Sequence, residues 1–197
     1  REYIGQLMEY DKKFLIIGNI NSVSYKEVFP YIMNNKMWIG LSISSGDRKF
    51  FVPDDYPLNA SGCGVDSDGK RYIRVKGVRW FTNLDISKRN EEMDLVCRYS
   101  PEEYPSYVNY QAIDVSKTAD IPFDYTGLMG VPITFLDKYC PNQFEIIGHS
   151  LELADMNIIK KELGKLNGGP RFYVREHGQL CRKFERIIIR NKHPQIL

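Results

Sequence analysis

Apolar residues in this 197-residue chain come in short runs. Phe14-Leu15-Ile16-Ile17 and Ile187-Ile188-Ile189 are among the longest, and each is stopped at once by a charged residue or a glycine. Runs of this length suit β-strands. They fall far short of the roughly 20 apolar residues a bilayer-spanning helix needs, so such a helix is excluded. The composition, 43% hydrophobic with 13% aromatic, supplies enough apolar area for one core of ordinary domain size and excludes disorder.

The pattern along the chain is uneven. Ile4, Leu7 and Met8 share a face at helical spacing, which predicts a helix over 1–11 that starts without a cap. Phe14 to Ile17, closed by Gly18-Asn19, predicts a strand buried on both faces. Ser24 and Glu27 have capping-box spacing ahead of Val28, Tyr31 and Ile32, and Met37 to Ile43 is a second strand candidate. Helix, strand, helix, strand is the grammar of a parallel α/β sheet. Beyond residue 45 the pieces shorten: Phe50 to Pro53, Tyr72 to Lys76 and Val78 to Thr82 predict antiparallel hairpins, with Gly62-Cys63-Gly64 and Asp66 to Gly69 as turns. Residues 90–130 read as a long loop rich in Tyr and Pro, a kind of segment that is usually functional. Val131 to Leu136 and Phe144 to Gly148 follow as strands. Leu151 to Leu166 reads as a helix ending near Asn167-Gly168-Gly169-Pro170, and Arg171 to Val174 and Lys183 to Arg190 as a closing strand pair.

Charge is segregated. Residues 70–89 carry 7 basic and 1 acidic residue and residues 160–197 carry 10 and 3, while residues 90–159 between them carry 3 and 12. Two basic islands brought together by folding would face a polyanion. Cys63, Cys97, Cys140 and Cys181 form no Cys-x-x-Cys pair, and His149, His177 and His193 have no helical ligand spacing, so no metal site is expected. The opening residues lack a hydrophobic secretory stretch, which makes a reducing cytoplasm with free thiols the expected location. Phosphate-loop, dinucleotide-binding and Gly-x-Ser-x-Gly sequences are absent. One weak enzymatic pattern remains: Asp54 after Pro53, then Asp68-Gly69-Lys70, has the order of a magnesium-dependent nuclease site, though in a turn-like context.

Longer strings say more. Lys13 to Asn19, Gly77 to Leu84, Ala119 to Pro122, Gly130 to Tyr139 and Gln143 to Gly148, in this order, resemble the EcoRI-methylase type of adenine-specific DNA methyltransferase, over residues 1 to about 190. The resemblance implies the α/β fold class: the C-terminal part of a Rossmann-like, S-adenosylmethionine-dependent methyltransferase sheet, then an antiparallel-strand and loop-rich target-recognition region. It divides the chain into 1–45, the remainder of the α/β core, and 46–197, core completion and target recognition. It further implies a site-specific enzyme of a restriction-modification system that methylates adenine N6 in double-stranded DNA after swinging the base out of the helix. The family's Gly-containing donor loop and Asn-Pro-Pro-Phe catalytic loop have no counterpart here, since no two of the ten prolines are adjacent. The resemblance therefore implies a C-terminal fragment, inactive alone, with no catalytic residue of its own and the N-terminal half of the enzyme as its partner.

Within that reading Asn19, at the end of a strand, is the candidate for contact with the cofactor. Arg79, Trp80, Lys138, Tyr139, Arg171, Arg175 and Arg182 are the candidates for contact with DNA, as cations and stacking surfaces. The alternatives are a stand-alone DNA-binding module, or a nuclease using Asp54, Asp68 and Lys70.

Overall fold

The computed structural model describes residues 2–41, 47–166 and 168–195. Helix α1 (Glu2–Glu9) buries Ile4 and rests Leu7 and Met8 on the core, as their spacing requires. Strand β1 (Leu15–Asn19) leads through a 3₁₀ turn, Ile20–Ser24, to α2 (Phe29–Met33) and β2 (Trp38–Ile39). Then come β3 (Asp47–Phe51), β4 (Gly64–Val65), β5 (Arg71–Lys76) and β6 (Val78–Thr82). The remainder comprises β7 (Ile113–Asp114), β8 (Met129–Pro132), β9 (Phe144–His149), α3 (Ser150–Leu153), α4 (Met156–Leu163), β10 (Tyr173–Glu176), β11 (Gln179–Arg182) and β12 (Arg186–Asn191).

The strands make four small sheets, ordered β1-β6-β2, β3-β5-β4, β7-β8-β12-β9 and β10-β11. One core joins the first and third, drawing Val23, Phe29, Ile32 and Phe81 together with Ile113, Phe135, Phe144 and Ile187. Ile187 and Ile189 point into that core, whereas Ile188 points into a second cluster with Tyr107, Phe172 and Val174. The Ile triplet is continuous because β12 is covered on both faces, each face taking alternate residues.

Several sequence expectations are corrected. The strand expected to be buried on both faces, β1, lies at the edge of its sheet and leaves Leu15 53% and Ile17 49% exposed. β1 and β2 run in the same direction, as the helix-strand grammar requires, but β6 lies between them and pairs antiparallel with both. The capping box does not form: Ser24 ends the 3₁₀ turn and its hydroxyl donates to Glu185, while α2 starts at Phe29 with Pro30 in its first turn. The second strand covers only Trp38–Ile39, and 42–46 lie outside the described residues. After Pro132 the chain turns into a 3₁₀ segment, Ile133–Lys138, in place of the expected strand to Leu136. The 151–166 helix breaks at Ala154-Asp155, where the Asp155 carboxylate accepts from the Asn157 amide and starts α4; Gly164, with φ +70°, ends it. Asn167, expected at the helix end, lies outside the described residues. The closing strands pair differently from expectation, β10 with β11 and β12 with β8 and β9.

The 90–130 segment has little regular structure, yet it is packed. Tyr104, Tyr107, Val115 and Ile121 are buried in it, and the Tyr99 and Tyr125 rings meet at a tilt of 39° with centroids 4.5 Å apart. Its tyrosines fill the core more than they form a surface loop. The opposite holds for 47–76, where no described side chain is fully buried and the strands pair only among themselves. This three-stranded arm stands off the body, joined to β6 through Gly77, whose φ of +67° is a turn that glycine adopts without strain.

Candidate nucleic-acid interface

A cleft of about 610 Å³ opens between the 3₁₀ turn at Ile20–Ser24, the start of the Ile133–Lys138 segment and the approach to β12. That volume lies in the range of small-ligand sites. Its rim carries Tyr25, 37% exposed, and Phe184, which at 87% is the most exposed large apolar side chain among the described residues. Two carboxylates organise the groups around it, Glu185 in its lining and Asp114 behind the lining residues Arg186 and Ser116. Asp114 accepts from the Tyr107 hydroxyl at 2.6 Å, Arg186 Nε at 2.9 Å and the Ser116 hydroxyl at 3.2 Å, with Lys183 Nζ 3.5 Å away. Glu185 accepts from Arg171 on one oxygen and from the Ser24 hydroxyl on the other. Arg186 is itself buried and its amide donates to Ser150, so β12 is locked to α3 beneath the cleft.

Burial sets the protonation of the groups behind it. It holds the His149 imidazole well down, at about 4, against an ordinary 6.5, with Arg171 adding to the shift and Glu185 opposing it. His149 is therefore neutral at pH 7. Its Nδ1 accepts from the Leu151 amide and caps α3, which leaves the proton on Nε2, 3.8 Å from Glu185 and without a hydrogen-bond partner. Burial, reinforced by the Asp114 charge, pushes the Tyr107 hydroxyl well above its usual range, so Tyr107 stays a donor. Burial works against the Lys183 charge, but Glu176 and Asp114 outweigh it and keep the ammonium protonated. The cleft thus offers exposed rings beside a hydrogen-bonding edge of Arg171, Glu185 and Ser24. Among the described residues that line it none is an activated nucleophile.

Of the residues predicted to contact DNA, only Arg171 lines this cleft. Arg79 is turned inward, 4% exposed, and forks onto Asp137 with bonds of 2.7 and 2.9 Å. Its pairing with Trp80 as a surface stacking device does not form. Trp80 is half-buried opposite Ile17, its Cβ packed against Gly40. Tyr139 is buried and donates to Asn35 at 3.2 Å, whereas Lys138 is exposed at the end of its 3₁₀ segment. Arg175 makes a two-pronged pair with Glu162 at 3.0 and 2.8 Å, and Arg182 donates to the Gly169 carbonyl at 3.0 Å. The nuclease pattern is not assembled either. Asp66, not Asp68, organises the turn by accepting from the Asp68 and Lys70 amides, and among the described residues no three acidic, His or Cys side chains come together to hold a metal. Sequence reasoning missed Phe184, Tyr25, Asp114 and Glu185. The available signal was Phe184 itself, a lone aromatic inside Lys183-Phe184-Glu185-Arg186, where neighbouring charges leave a ring little chance of burial.

The family model described as adenine-specific methyltransferase EcoRI matches residues 1–192. The chain belongs to this family. Among curated relatives, the Type II methyltransferase M.EcoRI of Escherichia coli is 51% identical over 149 residues, which cover 75% of this chain and 46% of that protein. M.MgeORF184P of Mycoplasma genitalium is 37% identical and M.MpnI of Mycoplasma pneumoniae 35% identical, each over 151 residues that cover 75% of this chain and 47% of the relative. The chain spans about half the length of the curated relatives it matches. No solved structure matches it. The strings that carry the resemblance are scaffold: they contain β1, β6, β8 and β9, and Phe81, Ile121, Val131, Phe135 and Phe144 within them are buried. Membership in a methyltransferase family implies S-adenosylmethionine; Asn19, the candidate for contact with it, is exposed and holds a turn. Its amide oxygen accepts from the Asn21 amide and its amide nitrogen donates to the Lys76 carbonyl. No catalytic step is assigned to a side chain of this chain.

Proposed function

We propose that this chain is the DNA-engaging portion of an S-adenosylmethionine-dependent methyltransferase that modifies adenine N6 at a specific duplex sequence in a Type II restriction-modification system. The family match across residues 1–192 carries the reading. The methyl donor supplies an activated methyl group, and we assign its main binding loop and the catalytic loop to the part of the enzyme that corresponds to the remaining half of the relatives. The partners of these residues are then double-stranded DNA and that other half. The enzyme acts in the cytoplasm; among the described residues no helix is long and apolar enough to cross a membrane.

Adenine N6 is hard to reach within a stacked pair, so the target base must leave the helix, and stacking on aromatic side chains offsets part of the cost. The Phe184 rim contributes such a surface, with Arg171 beside it to hold a phosphate or a base edge. The test is methyl transfer by the full-length gene product to unmethylated duplexes, with the modified nucleoside identified by mass spectrometry. N6-methyladenine at one sequence is expected. Binding to duplex DNA with no methyl transfer to any duplex would instead favour a stand-alone DNA-binding module.

A further inference from the structure

The arm formed by β3, β5 and β4 presents two faces, because Lys49 pairs across the sheet with Arg74 and Phe51 with Tyr72. Asp47, Lys49, Phe51, Tyr72, Arg74 and Lys76 therefore share one face, and Arg48, Phe50, Arg71, Ile73 and Val75 the other. The first face is open to solvent: Lys49, Phe51, Arg74 and Lys76 are exposed and Tyr72 is half-exposed. Its cations gather around its rings. Lys49 Nζ lies 4.1 Å from the Tyr72 ring centroid and 5.0 Å from that of Phe51, Lys70 Nζ lies 5.7 Å from Phe51, and the Arg74 guanidinium lies 5.9 Å from Tyr72. A small sheet with no buried side chain gains little from standing apart, and Phe51 is left 59% in water there. One strand carboxylate, Asp47, lies on this face, across from Lys76 at the root; the other acidic residues of the arm are in its turns and loops. Asp54, Asp55 and Asp68 fall in the loops at its far end, beyond Phe51 and Tyr72, and Asp66 is paired with Lys49 at 3.3 Å.

We propose that this face of the arm is the surface by which the protein reads duplex DNA, lying across the major groove with Arg74 and Lys76 on phosphates and the Phe51 ring against base edges. The inference rests on the proposed function, that the protein acts on DNA. A strand pair, about 4.8 Å between strands plus its side chains, fits a groove about 12 Å wide. The ribbon lies face-on because its far loops carry most of the carboxylates that phosphates repel, while on the face itself Lys49, Arg74 and Lys76 outweigh Asp47. An apolar ring suits the thymine methyl, while interleaved cations supply the affinity. The root of the arm is fixed to the body: Asn19 Nδ2 donates to the Lys76 carbonyl at 2.9 Å and the Ile20 amide to the Gly77 carbonyl at 2.7 Å. That same 3₁₀ turn and the Tyr25 that follows it line the Phe184 cleft, so the root of the arm and the cleft are joined through one turn.

The experiment compares the full-length gene product with its Arg74→Ala/Lys76→Ala and Phe51→Ala variants, by fluorescence anisotropy on a labelled mixed-sequence duplex across a salt series. All three residues are exposed, so the variants should keep the parent melting temperature; Arg74→Gln and Phe51→Leu serve where they do not. The double variant is expected to bind about tenfold more weakly, with the slope of log affinity against log salt reduced by about two, one for each phosphate that the variant no longer neutralises. Phe51→Ala is expected to weaken binding with the salt slope unchanged. Parent affinity and slope in the variants, while the parent itself binds and methylates DNA, overturn the arm assignment and leave the proposed function standing. A parent protein that binds no duplex overturns both.

Discussion

Arg74 and Arg79 belong to the same basic island, five residues apart, and the fold uses them in opposite ways. Arg74 stands on an arm with no buried side chain, its guanidinium over an aromatic ring and open to solvent. Arg79 lies in a strand of the body, closed off from water and forked onto Asp137. The second island divides less sharply: Arg186 is buried on Asp114, while Arg171, paired with Glu185, is half-buried in the lining of the cleft. A charge count along the sequence registers four equivalent cations. The physical distinction is that a buried guanidinium must have a carboxylate to compensate its desolvation, so the inward arginines are bound to specific acids. Those acids, Asp114 and Asp137, come from the acidic block that the sequence sets between the islands. Part of that block is internal counter-charge for the islands, and so it does not screen the whole basic surface.

This contrast can be broken by substitution. The largest effect is expected from Asp114→Ala, which strands the buried Arg186 and leaves Lys183 only Glu176; urea denaturation should show a loss of about 3–5 kcal/mol. Arg79→Ala should cost about 3 kcal/mol in the same assay by leaving Asp137 unpaired, whereas Arg74→Ala should stay within about 0.5 kcal/mol. Equal costs for the two arginines would erase the distinction. A smaller effect depends on pH. The folded state holds His149 neutral down to about 4, while the unfolded chain takes up its proton below 6.5, so the stability tied to this residue is intact above pH 6.5 and is lost as pH falls toward 4. By pH 5 the loss is on the order of 2 kcal/mol, and His149→Asn, which keeps an acceptor to cap α3, should remove that component from the stability profile. The smallest effect on stability belongs to Phe184→Ala, within about 0.5 kcal/mol by denaturation, though the rate of methyl transfer should drop about tenfold as the stacking surface is removed.

The sequence made the scaffold more legible than the surface. Short apolar runs identified β1, β6, β9 and β12 because burial demands an apolar set at period two, and the same strings carried the family resemblance. Pairing was less legible. The order of β1, α2 and β2 suggests a parallel sheet, but β6, some forty residues beyond β2, inserts between the two strands, and no local pattern announces so distant a partner. Surface cations were least legible of all. Arg79 and Tyr139 look available until Asp137 and Asn35 are brought to them by the fold, and Phe184 looks like strand interior until β12 is seen to start at Arg186. The turn at Asp66–Lys70, by contrast, was readable because Asp and Gly supply its hydrogen bond and its positive φ directly.

The central claim, that the outward cations of this chain hold DNA while the inward ones hold the fold, is tested most directly by the salt dependence of duplex binding. The full-length gene product is expected to lose affinity steeply, with a log–log slope of about −3 or steeper, as release of counterions from several phosphates requires. An affinity that is the same at low and high salt would contradict the claim.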